Sequence, residues 1–180
     1  EFYPLSTLGG IPVRASRFRS ARATRLRALR RRPSGMLNAV GLQNPGVDHF
    51  IENDLPWLRQ QGTAVIANIA GNTPEDYCAM AEKLSDSDVD MIEMNISCPN
   101  VKQGGVQFGT SCEGVGSITA AVRKHCKKPL MVKLSPNVSD IGEIAAAAEA
   151  AGADAISLIN TLTGMRIDIR TRPPDHPATT

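Results

Sequence analysis

The chain has 180 residues, 42% of them apolar, and a formal charge of +2, a composition that fits a globular, soluble chain and excludes a low-complexity or polyelectrolyte one. Its uncharged apolar runs fall far short of the ~20 residues of a membrane span, and Glu1-Phe2-Tyr3-Pro4 lacks signal character, so a cytoplasmic location and no membrane partner are expected. Four cysteines without Cys-x-x-Cys spacing and three scattered histidines predict reduced thiols and no metal site.

In chain order, Gly9-Gly10-Ile11-Pro12-Val13 reads as a first strand. After Pro45-Gly46 the spacing of Phe50, Leu55 and Leu58 predicts an amphipathic helix over Val47 to Gln60, followed by a short strand Thr63 to Asn68. Thr73 as N-cap with Pro74 at the first helical position predicts a helix to about Leu84. The apolar run Val89 to Met94 is a buried strand, Gly116 to Cys126 a helix, and Pro129 to Leu134 a strand. An alanine-rich helix Ile141 to Ala151, stopped by Gly152, and a strand Ala155 to Ile159 complete the series. Alternating strands and helices of this kind predict an α/β fold with a parallel sheet.

The segment from Arg14 to Arg32 differs from its surroundings. It holds nine arginines and no acid, and removing those nine turns the formal charge from +2 to −7. Such a stretch reads either as a polyanion-binding patch or as a solvated arm.

Chemistry is concentrated where strands end. Asn95-Ile96-Ser97-Cys98-Pro99-Asn100 follows the buried strand directly, and in (β/α) barrels the C-terminal strand ends and their loops carry the site. A cysteine taken alone is more often a small buried hydrophobe; two flanking amides at a strand end favour a thiol that handles a proton beside a planar polar ligand. Asn38, Asn95, Asn100 and Asn160 fall at or just beyond strand ends, and each side-chain amide offers both a donor and an acceptor to a ring edge. Asn44 and Asn137 read better as turn residues. Lys133 sits inside the apolar strand Leu130-Met131-Val132-Lys133-Leu134, where a buried ammonium needs an anionic partner; the bland alternative is a strand-end lysine that snorkels to solvent.

These motifs resemble the class 1 dihydroorotate dehydrogenases, closest to the NAD-linked (1B) branch. The catalytic-loop segment, continued by Val101-Lys102-Gln103-Gly104-Gly105, is joined in the same order by Leu37 to Gly46, Ala67 to Gly71, Val132 to Asn137, and Ile159 to Met165. The likeness covers residues 33 to about 174, with a short piece at 1 to 14. It implies a partial TIM (β/α)8 barrel holding about strands 2–6 of eight and a partial flavin-binding domain over 1–174; the proline-rich stretch Thr171 to Thr180 offers no strand, and residues 175–180 read as a frayed, disordered tail. The loops after strands seven and eight, where a cofactor phosphate commonly sits, are then missing, and the chain reads as an internal fragment.

The resemblance further implies FMN as cofactor and oxidation of dihydroorotate to orotate in pyrimidine biosynthesis, with Cys98 as the general base. Asn38, Ala39, Val40, Gly41, Leu42, Asn95, Asn100, Asn160 and Thr161 are the implied substrate contacts, and Asn68, Asn95, Lys133 and Ile159 the implied FMN contacts. Lys133 would lie by the flavin pyrimidine ring. The 1B likeness implies an electron-transfer subunit with FAD and an iron–sulfur cluster, and an oligomer in the full-length protein; no nucleic-acid partner is expected. Where the family closes its second strand with lysine, this chain has Arg14, a larger planar cation that does not replace lysine cleanly.

The family comparison adds a third reading of the arginine-rich stretch. One permitted set of codons for Ala23 to Arg30, read from its third base, encodes Asn-Pro-Thr-Pro-Arg-Ile-Ala, which resembles what the family carries there. A compensated frameshift is therefore expected, and sequencing the gene checks it. The rival functional readings are an inactive fragment of such an enzyme, a fumarate-using class 1A enzyme, and a related dihydropyrimidine-type flavin oxidoreductase.

Overall fold

A computed structural model of the protein describes residues 3–16, 29–32, 35–38, 44–96 and 108–164. Seven strands occur among these residues: β1 (Gly10–Ser16), β2 (Leu29–Arg32), β3 (Gly35–Asn38), β4 (Ala64–Ile69), β5 (Met91–Asn95), β6 (Leu130–Lys133) and β7 (Ala155–Ser157). Five of them form one parallel sheet in the order β1-β4-β5-β6-β7. The order never reverses along the chain, as a doubly wound sheet would at its switch point, so the sheet is an arc of a (β/α) barrel.

Side-chain alternation sets the two faces of this arc. Val65, Ala67 and Ile69 of β4, Ile92 and Met94 of β5, and Leu130 and Val132 of β6 are all fully buried on one face. The helices cover that face: α3 (Pro74–Ser85) lies on β4 and β5, α4 (Cys112–Arg123) packs between α3 and α5 (Ile141–Ala150), and α5 lies on β7. Met80, Leu84, Val115, Ile118, Val122, Ile144 and Ala148 complete the core, each large buried apolar side chain contributing about 1.5–3 kcal/mol by its removal from water.

Local chemistry explains the helix ends. Thr73 caps α3 in a full capping box with Asp76, and Pro74 takes the first turn. Asp140 caps α5 through Gly142 and Glu143, and Gly152, at φ +101°, follows its end. The helix expected over Val47 to Gln60 is there but interrupted: α1 (Val47–His49) passes through a π-helical turn, Phe50–Asp54, into α2 (Leu55–Arg59). Pro56 has no N–H for the carbonyl four residues earlier and its ring would crowd it, which the wider turn relieves.

The fold departs from expectation at three further places. Helix α4 begins at Cys112, capped by Ser111, rather than at Gly116. Gly114 in its first turn fits a tight approach, since a Cβ on it would stand 2.8 Å from the Phe108 carbonyl oxygen. Strand β7 stops at Ser157, and Leu158 and Ile159 are exposed beyond it. The arginine-rich stretch ends in β2, whose residues Leu29 to Arg32 pair antiparallel with Asn38 to Gly35 of β3; residues 17–28 lie outside the described residues.

The N-terminal strand ends are closed by a device that occurs twice. Asp90 accepts hydrogen bonds from the Val65 N–H (2.7 Å) and from Arg59 (2.6 Å), and its own N–H donates to the Val65 carbonyl (2.9 Å). Asp154 does the same for β6, accepting from the Leu130 N–H and from Arg123 (each 2.8 Å) and donating to the Leu130 carbonyl (2.8 Å). In both cases the aspartate follows its arginine by 31 residues. No helix among the described residues is long and apolar enough to cross a membrane.

Candidate active site

The sheet face opposite the helices carries polar residues at the C-terminal strand ends. Strand register sets Arg14, Asn68 and Glu93 in one row across β1, β4 and β5, and Asn95, Lys133 and Ser157 in the next across β5, β6 and β7. Arg14 is exposed, Asn68, Lys133 and Ser157 are half-buried, and Glu93 and Asn95 are buried. Glu93 accepts from Asn68 Nδ2 at one carboxylate oxygen and from Ser157 Oγ (2.7 Å) at the other.

Asn95 is fixed from both sides. The Tyr77 hydroxyl donates to its backbone carbonyl at 2.8 Å, and its side-chain oxygen takes a long 3.5 Å contact from Asn160 Nδ2. The Tyr77 ring meets Phe108 edge-on, with centroids 6.4 Å apart and planes at 88°. A Cβ on Gly109 would lie 2.7 Å from the Ile96 carbonyl oxygen, so the two ends of the segment after β5 come together. Residues 97–107, with Cys98 and Asn100, lie outside the described residues.

The loop after β7 is strapped to the loop after β6. The Asn160 N–H donates to the Leu134 carbonyl (3.1 Å), Asn137 Nδ2 donates to the Thr161 carbonyl (3.1 Å), and the Thr163 N–H donates to Asn137 Oδ1 (3.1 Å). A Cβ on Gly164 would stand 3.3 Å from Leu37 Cδ2, so the β2–β3 hairpin reaches this same loop and brings the end of β3, at Asn38, alongside it.

Residues 2–179 match the family described as dihydroorotate dehydrogenase. The chain belongs to the dihydroorotate dehydrogenase family. Its relatives include the catalytic subunit of dihydroorotate dehydrogenase B (NAD(+)) of Alkaliphilus metalliredigens, 55% identical over 174 residues that cover 97% of this chain and 58% of the relative. The subunits of the same name from Petrotoga mobilis and Bacillus cereus are each 47% identical, covering 94% and 97% of this chain and 56% and 57% of the relatives. The chain thus spans somewhat over half the length of the relatives it matches. Their NAD(+)-linked names agree with the branch read from the Asn95 to Gly105 motif.

Within this dihydroorotate dehydrogenase arc, the expected residues divide into three groups. Asn68, Asn95 and Lys133 share one sheet face at strand ends, and Asn160 joins them through Asn95. Thr161 and Ile159 are exposed on the loop after β7. Asn38 is described only as the last residue of β3, and Ala39, Val40, Gly41 and Leu42, like Cys98 and Asn100, lie outside the described residues.

The turn readings of two asparagines hold, one of them with an addition. Asn44 Oδ1 accepts from the Gly46 N–H at 3.0 Å, whereas Asn137 both closes a turn on Ser135 and bridges the two loops. Three site-shaping residues escaped the sequence reading: Glu93, Ser157 and Tyr77. The one available signal was an acid in the apolar run Val89 to Met94, two residues before Asn95 and so on the same face.

Proposed function

We propose that the protein is the catalytic subunit of an FMN-dependent dihydroorotate dehydrogenase that oxidises dihydroorotate to orotate and passes electrons to NAD through a partner subunit carrying FAD and an iron–sulfur cluster. The observation that carries this reading is the pair of adjacent polar rows, Asn68 with Glu93 and Asn95 with Lys133, on one face at the C-terminal strand ends of a barrel arc in this family. Acceptors, amide donors and one ammonium on a single face fit the edge of a flavin ring, which presents alternating N–H and C=O groups. FMN held along this face would supply the two-electron acceptor for the hydride that leaves C6 of the substrate.

The protein's own residues supply the rest. Cys98, on the loop whose ends meet at Ile96 and Gly109, takes the C5 proton. The carboxamides of Asn38, Asn95 and Asn160, the Thr161 side chain, the segment Ala39 to Leu42 and Asn100 hold the planar substrate. Asn68 and Ile159 contact the cofactor, and the Lys133 ammonium puts positive charge where reduction of the ring adds negative charge. Tyr77 and Asn137 keep Asn95 and the loop after β7 in position.

Exchanging Cys98 for alanine in the full-length protein tests the assignment. Orotate formation should fall by about 100-fold or more while the flavin spectrum persists, and an unchanged rate refutes the role. Adding fumarate alone, or NAD with the partner subunit, separates the 1A from the 1B reading.

A second reading concerns the 180-residue chain by itself. Among the described residues the outer edges of β1 and β7 have no partner strand, and open edges cost core contacts and invite association. Alone, this chain holds FMN weakly or not at all; purification as a yellow protein contradicts that.

A further inference from the structure

Glu93 is only 5% exposed, and a carboxylate in such a place is costly unless its oxygens are satisfied and its charge is balanced. Both oxygens are used, one by Asn68 from β4 and the other by Ser157 from β7. The second bond crosses over β6, the strand that contributes Lys133 to the same face, in register with both Asn95 and Ser157. One side chain thus ties together a face built from four strands.

A carboxylate only accepts hydrogen bonds. Asn68 must therefore turn its NH2 group to Glu93, which leaves its carbonyl oxygen for an N–H edge of a bound ring. Ser157, having donated its proton to Glu93, keeps its lone pairs for another donor. Glu93 and Lys133 stand on the same sheet face of adjacent strands, in neighbouring rows of the register.

We propose that Glu93 is a positioning residue of the site: its buried carboxylate sets the orientation of the Asn68 amide and the Ser157 hydroxyl and tempers the positive charge that Lys133 presents to a flavin ring. Glu93 acts through these neighbours and does not itself touch substrate or cofactor. The inference rests on the FMN reading above.

The test compares Glu93→Gln with the wild type in the full-length holoprotein, reading FMN affinity by fluorescence titration and the midpoint potential of the bound flavin. A glutamine removes the charge and can donate where the carboxylate only accepted. FMN affinity should fall about tenfold, and the reduced flavin should gain about tenfold over the oxidised, a rise of about 30 mV for a two-electron couple. A merely structural role would lower the melting temperature and the affinity together and leave the potential in place.

Glu93→Asp, which keeps the charge but shortens the reach, should bind FMN more weakly at a near-native potential. Should Glu93→Gln fail to fold, Ser157→Ala serves instead: it strips one donor from the carboxylate and should lower the potential, opposite to the charge-removing change. A flavin-loaded wild type whose variants keep their affinity and potential overturns the positioning role alone. A wild type that binds no flavin overturns the functional reading and this inference with it.

Discussion

The Tyr77 hydroxyl reaches from α3 to the backbone carbonyl of Asn95 at 2.8 Å, with both residues buried. This bond joins the helix layer to the C-terminal end of β5, where the strand passes into the segment containing Cys98. Replacing Tyr77 with phenylalanine keeps the edge-on contact with Phe108 and removes only the hydroxyl. A buried carbonyl left without its donor costs about 1–3 kcal/mol. Urea unfolding should show that loss with an unchanged m-value, and an unaltered midpoint would mean that the bond contributes nothing.

Gly109 owes its identity to the close approach of two backbones. A methyl there would stand 2.7 Å from the Ile96 carbonyl oxygen, and no side-chain rotation relieves a clash with main chain. Gly109→Ala should destabilise by about 1–3 kcal/mol and, under the proposed function, slow orotate formation by the full-length protein as the two ends of the Cys98 loop spread. Gly9→Ala, with nothing within 4 Å of the new methyl, is the control. Equal thermal shifts for the two substitutions would count against the packing argument.

The two Arg–Asp clamps should be unequal in what each partner contributes. Asp154→Ala orphans the N–H of Leu130, a fully buried residue, at a cost of about 1–3 kcal/mol. Arg59→Ala removes a partly exposed cation from Asp88 and Asp90 while the Val65 N–H keeps its acceptor, so it should cost less than about 1 kcal/mol. Chemical denaturation of both variants gives the order, and a larger loss for the arginine would overturn it.

Cys78 is a thiol held protonated by its surroundings. Burial pushes its pKa above the ordinary thiol range, and Glu75 and Glu82 add to the effect. Its alkylation at pH 8 should be slower than that of the exposed Cys112, as peptide mapping after a timed iodoacetamide pulse would report. The unfolded chain gives up this proton first, so the group lowers stability as pH rises past about 8.5. Glu75→Gln and Glu82→Gln should each speed the alkylation; no change in either would refute the electrostatic part.

Much of the architecture is written locally. Thr73 with Pro74 and Asp76, Asp140 ahead of Ile141, and Gly152 after α5 mark helix ends within a few residues, because capping satisfies main-chain groups of the same turn. Strand and helix alternation was legible for the same reason: apolar spacing reports which face of an element is buried. The Asn95 to Asn100 and Lys133 motifs placed the candidate site at strand ends.

What the sequence determined by itself was the family and the alternating βα order, and it nominated most of the candidate site residues. Tertiary structure alone decided that Glu93 meets Ser157 from 64 residues away, that Asn137 straps the loop of Thr161, and that the end of the arginine-rich stretch pairs with β3. The physical reason is that strand register follows from the packing of separate helices on the sheet, and no pattern within one element encodes which polar side chains that packing sets side by side.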